Sequence, residues 1–529
     1  MSKNIVICSD GTGNTAMKGR GTNVFKLYEA VDIHLDEPRQ VTLYDDGVGT
    51  QSFNPLKLLS GAIGLGLNKN VIQLYTELAH LYNPGDRIFL FGFSRGAFTV
   101  RTLGGLIYQC GILDHDCKND AELRRRAAAA YRAFRCRKLA YMERALCTLF
   151  DVVSFGRCCK KETLARVRND YALENENFHA HPGSSKKIIP PVALIGAWDT
   201  VSAMGFPVKE ISDFINMFIY RFKFENHDLG SNVEQACHAL SIDDERRTFH
   251  PLMWNEDEDR NDRIEQVWFA GVHSNVGGGY PKHGMSLVTL VWMLHKAAKA
   301  GLVFSDHDYQ LFVEHRNVND KLYDSRSGFN SIYRYTPRNI SKLCKRYGLV
   351  PRIHLSVFER IAQNTEAYAP GNLPNNLEVI GNEGPTAVTR AVQQLMRNEL
   401  GNTASLLNKV SWAIILRIGA HITMLTLLAF MLLMYVIKYS AAWGLKSTLV
   451  DLFSVYGFAD LLKYSLKDYW WLILIVIVLY LASGLAEKYM KRRFSEFYHG
   501  LLKRLRKVFD LTNEKVVLPD HSDEKKTYD

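Results

Sequence analysis

A serine with glycine two residues away on each side stands at Gly92-Phe93-Ser94-Arg95-Gly96, between the apolar run Arg87–Phe93 and a helix-patterned stretch from Arg95 to Tyr108. G-x-S-x-G between a buried strand and a helix is the context of a nucleophile elbow, a sharp turn that lifts a serine hydroxyl above the C-terminal edge of a sheet. Gly92 and Gly96 are the residues that let neighbouring backbone approach so tight a turn. A hydroxyl is a weak nucleophile at neutral pH and needs an adjacent base. A strand-to-helix turn without chemistry shows the same local pattern, so its partners must decide.

The chain has 17 histidines, so position has to select the base. His273 follows the strand-like run Ile264–Phe269 within WFAGVHSNVGGGY, and the three glycines beside it permit close backbone approach. His250 and His354 are its rivals. His238 lies with Val233, Cys237 and Leu240 at helical spacing and reads as structural. The orienting acid is expected at Asp199, directly after the strand-like run Pro191–Ala197, with Asp243 and Asp244 as rivals and a turn-capping role as the alternative. Such an acid holds the imidazole in the tautomer whose other nitrogen faces the serine. Ser94, Asp199, His273 is the chain order of α/β-hydrolases. A tetrahedral intermediate needs two N–H donors. Arg95, the residue after the nucleophile, supplies one; Gly11 or Thr12 in Asp10-Gly11-Thr12-Gly13-Asn14 supplies the other, with Asp10 organising that loop. A D-x-D-G-T phosphatase reading fails because Cys8 stands where its aspartyl nucleophile belongs. No G-x-x-x-x-G-K-[ST] occurs, which removes the P-loop reading. Ester hydrolysis by these residues calls for no metal and no cofactor.

The elements that must position them alternate. Lys3–Cys8 and Val41–Tyr44 read as strands, Asn68–Tyr82 as a helix, and Arg87–Phe93 as a strand buried on both faces. The fold expected is α/β, an α/β-hydrolase-like, mostly parallel sheet with helices on both faces. The catalytic domain is expected over 1–305, with a basic helical insertion at about 115–190. Its stretch 121–149 carries Arg124, Arg125, Arg126, Arg132, Arg135, Arg137, Lys138 and Arg144 and reads as a lid, a lipid-facing surface or a solvated excursion. Residues 306–400 form an extension without a chemistry of their own.

Residues 401–490 are expected to form a transmembrane hairpin. Ile418–Ile437 and Tyr469–Ala486 carry no formal charge and reach about 27–30 Å as helices, a hydrocarbon thickness. Trp412, Trp443, Trp470 and Trp471 lie near their ends, where interface tryptophans belong. Buried core helices are the alternative. The tail 491–529 is basic, then polar. Lysine and arginine after the second span outnumber those in the loop between spans, which places both termini in the cytoplasm.

With 529 residues, 47% of them hydrophobic, the chain can bury a sizeable core, and its net charge of +10 suits an anionic partner. Basic residues placed beside the hairpin point to phospholipid rather than nucleic acid. The nine cysteines form no C-x-x-C pair and read as reduced thiols. A zinc site from Cys136, Cys147, Cys158 and Cys159 lacks ligand spacing. The N-terminal apolar run is too short for a signal peptide.

SDGTGN near the N-terminus, YDDGVGT at Tyr44–Thr50, GFSRGA at Gly92–Ala97, WDTV at Trp198–Val201, HALSIDDERRTF at His238–Phe249 and VWFAGVHSNVGGGY at Val267–Tyr280 occur in one order. Together they resemble the catalytic domain of the type VI secretion lipase effectors of the first phospholipase class, over residues 3–300 and onward to 375 through DSRSGFNSIYRYTPR. The resemblance implies phospholipase A activity, with Ser94 as nucleophile, Asp199 as acid and His273 as base. It also implies delivery by a bacterial needle apparatus and pairing with an immunity protein. The basic insertion and the hairpin depart from that pattern. A membrane-anchored lipid esterase is therefore expected. A catalytically silent scaffold or binding module on a hydrolase fold and a tethered esterase for soluble substrates are the competing readings.

Overall fold

The structure is a computed structural model that describes residues 2–11, 21–47, 67–114, 119–134, 189–202, 228–256, 262–400, 406–443 and 455–513. The chain divides into two compact units. The first comprises Met1–Ile242, Thr248–Tyr323 and Lys342–Arg352; the second comprises Asp243–Arg247, Asp324–Ser341 and Ile353–Asp529.

The first unit is α/β. Its strands are β1 (Lys3–Ser9), β2 (Arg39–Asp45), β3 (Arg87–Phe93), β4 (Val192–Trp198), β5 (Val233–Ser241) and β6 (Ile264–Phe269). They stand in the order β2-β1-β3-β4-β5-β6, each parallel to its neighbour. From β1 the chain steps first to one side and then, with β3, to the other. The gap beyond the C-terminal ends of β1 and β3 is thus a topological switch point, where open α/β sheets place their ligands.

Successive side chains of these strands feed two helical layers. Ile5, Ile7, Ile88, Leu90 and Ile195 pack with the helices Leu67–Leu81 and Arg95–Cys110 in one core. On the other face Gly196 lies against the Phe91 ring and Met293 of the helix Gly284–Lys299. A side chain of Leu or Ile size removed fully from water stabilises by about 1.5–3 kcal/mol, so double coverage favours the near-continuous apolar runs seen in β3 and β4.

The same double coverage explains one correction. Val233, Cys237 and Leu240 have helical spacing, yet Val233–Ser241 is a strand, buried at Val233 and continuously from Ala236 onward, and His238 is on β5. In a central strand every position is apolar or satisfied, so chance helical periodicity is easily met. Residues 120–134 are helical, and Leu123, Ala127, Ala130, Tyr131 and Phe134 join the same core as the strands, while Arg124, Arg125 and Arg132 are exposed. This part of the expected insertion is a core helix with a basic outer face. The rest of it, including Cys136, Cys147, Cys158 and Cys159, lies outside the described residues.

The second unit contains β7 (Arg352–His354), which begins at the last residue of the first unit, and its sheet neighbour β8 (Glu378–Ile380). Two long helices follow, Ser411–Trp443 and Trp470–Asn513, both long and apolar enough to cross a membrane. The expected spans fall within them, except that Tyr469 precedes the second helix by one residue. Leu428, Leu433 and Ile437 on the first and Leu474, Val478, Leu481 and Leu485 on the second are exposed. At one end of the pair, buried Arg417 lies 3.8 Å over the Tyr335 ring and pairs with Glu487 at 2.9 Å. Partly buried Glu245 belongs to the same unit. Loss of water around it pushes its carboxyl up to about 7, against the pull of Arg417 and Arg326.

Candidate active site

Ser94 follows β3 and precedes the helix Arg95–Cys110 with φ 59° and ψ −120°, a strained conformation for a residue with a side chain. Strain of this kind costs of order 1–3 kcal/mol and persists only where surrounding structure enforces it. The enforcement is visible. Ser94 N–H donates to Trp198 O at 3.0 Å. A Cβ on Gly96 would lie 2.0 Å from Ser9 O, and one on Gly92 would lie 2.6 Å from Ala97 N. Only glycine admits the helix Arg95–Cys110 this close to the end of β1. The Ser94 hydroxyl makes no capping bond to the helix it precedes. The helix N-terminus brings partial positive charge to the turn.

Asp199 follows β4 in a left-handed conformation, φ 40°, and is fully buried. Its Oδ2 lies 2.6 Å from His273 Nδ1, and His273 follows β6 at the start of the short helix His273–Gly277. The Phe93 ring lies 4.6 Å from the imidazole and the Phe249 ring 5.1 Å, nearly perpendicular to it. Asn275 fixes the turn that carries the imidazole, donating to Lys321 O at 3.0 Å. Asn23 ties the same turn to the second helical layer, through Val276 O at 2.9 Å and Ser286 O at 2.8 Å. A carboxylate on Nδ1 leaves Nε2 as the acceptor, the tautomer a general base needs.

The loop after β1 is organised by Asp10. Its Oδ1 accepts from Gly11 N–H at 2.6 Å, and its Oδ2 accepts from the hydroxyls of Thr22 at 2.6 Å and Tyr44 at 2.7 Å. Burial and the Asp10 charge push the Tyr44 hydroxyl upward, so it stays a donor. The Gly11 N–H is thus engaged by Asp10, and Thr12 lies outside the described residues. Burial and Asp10 also raise the Cys8 thiol above its ordinary range, which keeps the sulfur beneath the loop protonated and inert.

Three of the four rival residues are occupied elsewhere. Asp244 pairs with Arg246 at 2.7 Å, Asp243 accepts from Tyr368 OH at 2.8 Å, and His354 caps the helix Leu355–Gln363. Two supporting residues lie in the HALSIDDERRTF stretch, which by itself assigns them no role. Ser241 reaches the Asp199 carboxylate, and His238 Nε2 accepts from Thr200 N–H at 3.0 Å, bracing the turn that bears Asp199. Their shared signal is polarity inside an otherwise apolar central strand.

The family model described as type VI secretion system, phospholipase effector Tle1-like, catalytic domain matches residues 3–296. An uncharacterized protein of Saccharomyces cerevisiae is 34% identical over 124 residues, 21% of this chain and 18% of that protein. Among solved structures, the Tle1 effector bound to the VgrG spike of the type 6 secretion system is 16% identical with a TM-score of 0.27, over 53% of this chain and 52% of that one. The crystal structure of an uncharacterized protein from Pseudomonas aeruginosa is 15% identical with a TM-score of 0.32, over 76% of this chain and 60% of that one. The chain therefore spans 18% of the curated relative and 52% and 60% of the solved chains.

Proposed function

The chain belongs to the type VI secretion phospholipase effector family with a Tle1-like catalytic domain, and on that premise we propose that it is a membrane-anchored serine esterase that cleaves acyl esters of glycerophospholipids. The observation that carries this reading is the 2.6 Å pair of Asp199 and His273 beside the strained turn at Ser94.

In this mechanism Ser94 Oγ attacks the ester carbonyl carbon while His273 Nε2 takes its proton. Asp199 stabilises the imidazolium through Nδ1 and stays ionised. The oxyanion is held by Arg95 N–H at the helix start and by a second amide of the loop after β1. Gly11 serves there once its N–H turns from Asp10. Collapse of the intermediate breaks the acyl C–O bond, and the imidazolium protonates the departing lysophospholipid alkoxide. Water, deprotonated by His273, then attacks the acyl-enzyme and frees a fatty acid and Ser94. All groups required are this chain's own side chains and amides.

The two apolar helices span the bilayer in this reading, with both termini on one side. Their exposed leucines, isoleucines and valines face acyl chains, a favourable environment for side chains that water would penalise. Delivery as an effector belongs to the same proposal, with a spike component of the secretion apparatus and an immunity protein as partners to be tested by co-purification.

The test uses the full chain purified in detergent, as wild type and as Ser94→Ala. A fluorophosphonate probe should label only the wild type, and only the wild type should release lysophospholipid and fatty acid from phosphatidylethanolamine–phosphatidylglycerol vesicles. Equal labelling of both proteins overturns the nucleophile. Labelling with turnover of short soluble esters but none of vesicles overturns the lipid substrate.

A further inference from the structure

Strand β5 runs between the strand that bears Asp199 and the strand that precedes His273. Ala239 O accepts from Asp199 N–H at 2.8 Å, and Ser241, the last residue of β5, is in register with Phe269 of β6. Ser241 is fully buried. Two donors from this one residue reach the carboxylate, the backbone N–H at 3.0 Å from Oδ1 and the hydroxyl at 3.2 Å from Oδ2. Oδ2 is the oxygen that faces His273 Nδ1.

We propose that Ser241 is a positioning residue for the Asp199–His273 pair, its hydroxyl setting both the plane of the carboxylate and the basicity of the imidazole. The proposal rests on the triad reading above. Any residue but proline at 241 supplies the backbone bond to Oδ1, so what serine adds is the second donor. With both oxygens held, the carboxylate cannot rotate about its Cβ–Cγ bond and withdraw Oδ2 from the ring. A hydroxyl that donates to Oδ2 also draws negative charge away from the side facing Nδ1. Less charge there means less stabilisation of the imidazolium, so the ring stays neutral, and able to accept a proton, to lower pH. Removing the hydroxyl should do the reverse and raise the pH at which the ring protonates.

The experiment is the pH dependence of kcat/KM on a short soluble ester for the full-length wild type, Ser241→Ala and Ser241→Cys in detergent, with thermal unfolding alongside. The acidic limb of this profile reports the base in the free enzyme. In S241A it should move up by about half a pH unit, as expected for one charge-assisted bond lost beside the ring. Plateau kcat should fall roughly tenfold, the equivalent of 1.4 kcal/mol. The thiol of S241C is a weak donor, so its limb should lie between the other two; it carries the test should S241A fold poorly. Superimposed limbs, or a loss equal at every pH, overturn the positioning role. A wild type that takes up no fluorophosphonate at Ser94 instead overturns the triad reading beneath it.

Discussion

Asp199 and His273, 74 residues apart in sequence, meet at 2.6 Å with both side chains out of water. An Asn at 199 presents an amide where the ring needs an acceptor and favours the wrong tautomer. Asp199→Asn should therefore lower kcat roughly 10⁴-fold while leaving thermal unfolding within a few degrees of wild type. The rate of fluorophosphonate labelling at pH 7.5 measures this. Retention of a tenth of the wild-type rate would remove Asp199 from the mechanism.

Gly96→Ala should be far more damaging than its size suggests. The added methyl would lie 2.0 Å from Ser9 O, which is backbone of β1 and cannot swing aside. A loss of about 3 kcal/mol is expected, together with loss of labelling at Ser94. Gly104→Ala on the same helix meets only the tip of Ile195 at 2.9 Å, so about 1 kcal/mol is expected there. Thermal or urea unfolding of the two variants should separate them clearly.

Glu245 gives a pH prediction. Its carboxyl, pushed from an ordinary 4.5 up to about 7, binds a proton in the folded state that the unfolded state releases. Stability from this group is complete below about pH 4.5, declines as pH rises toward 7, and is flat beyond. Glu245→Gln should remove that decline. The variant should gain on wild type between pH 5 and pH 8 by about 2 kcal/mol, less than the full shift implies because the side chain keeps some contact with water. Unfolding midpoints at the two pH values provide the check, and an unchanged difference between the proteins would refute it.

The hairpin reading predicts that the chain stays in the membrane pellet through alkaline carbonate washing. Leu428→Asp combined with Val478→Asp should release it, since an aspartate near the centre of a span costs about 2.5–3.5 kcal/mol to insert. Both positions are exposed now, so loss of core packing cannot explain such a release. Persistence of the double variant in the pellet would show that another segment holds the membrane.

Much of the α/β core was legible because the elements that carry it announce themselves locally. The RIFLFGF run and the glycines around Ser94 mark β3 and the helix after it within a residue or two. β5 was not legible. Its apolar positions fit helical spacing, and its polar residues, His238 and Ser241, look like exceptions until Thr200 and Asp199 are seen opposite them. The same holds for Phe249, whose ring lies against His273 only after the chain folds. Residues that act on chemistry through another residue leave no spacing rule in the sequence. Gly11 shows the converse: motif position nominates its amide, but only coordinates show that Asp10 already holds it.

The helix Trp470–Asn513 has 44 residues, so it extends about 66 Å, roughly twice the thickness of a hydrocarbon core. Past its apolar half the same rod packs Phe494 against Gly371 and hydrogen-bonds Tyr498 to Pro370 O at 2.8 Å. It has no joint between its greasy part and its docked part. In the membrane-spanning proposal, whatever tilts or thins the lipid would turn this shaft as one piece, and the loop at residues 370–371 would feel the torque.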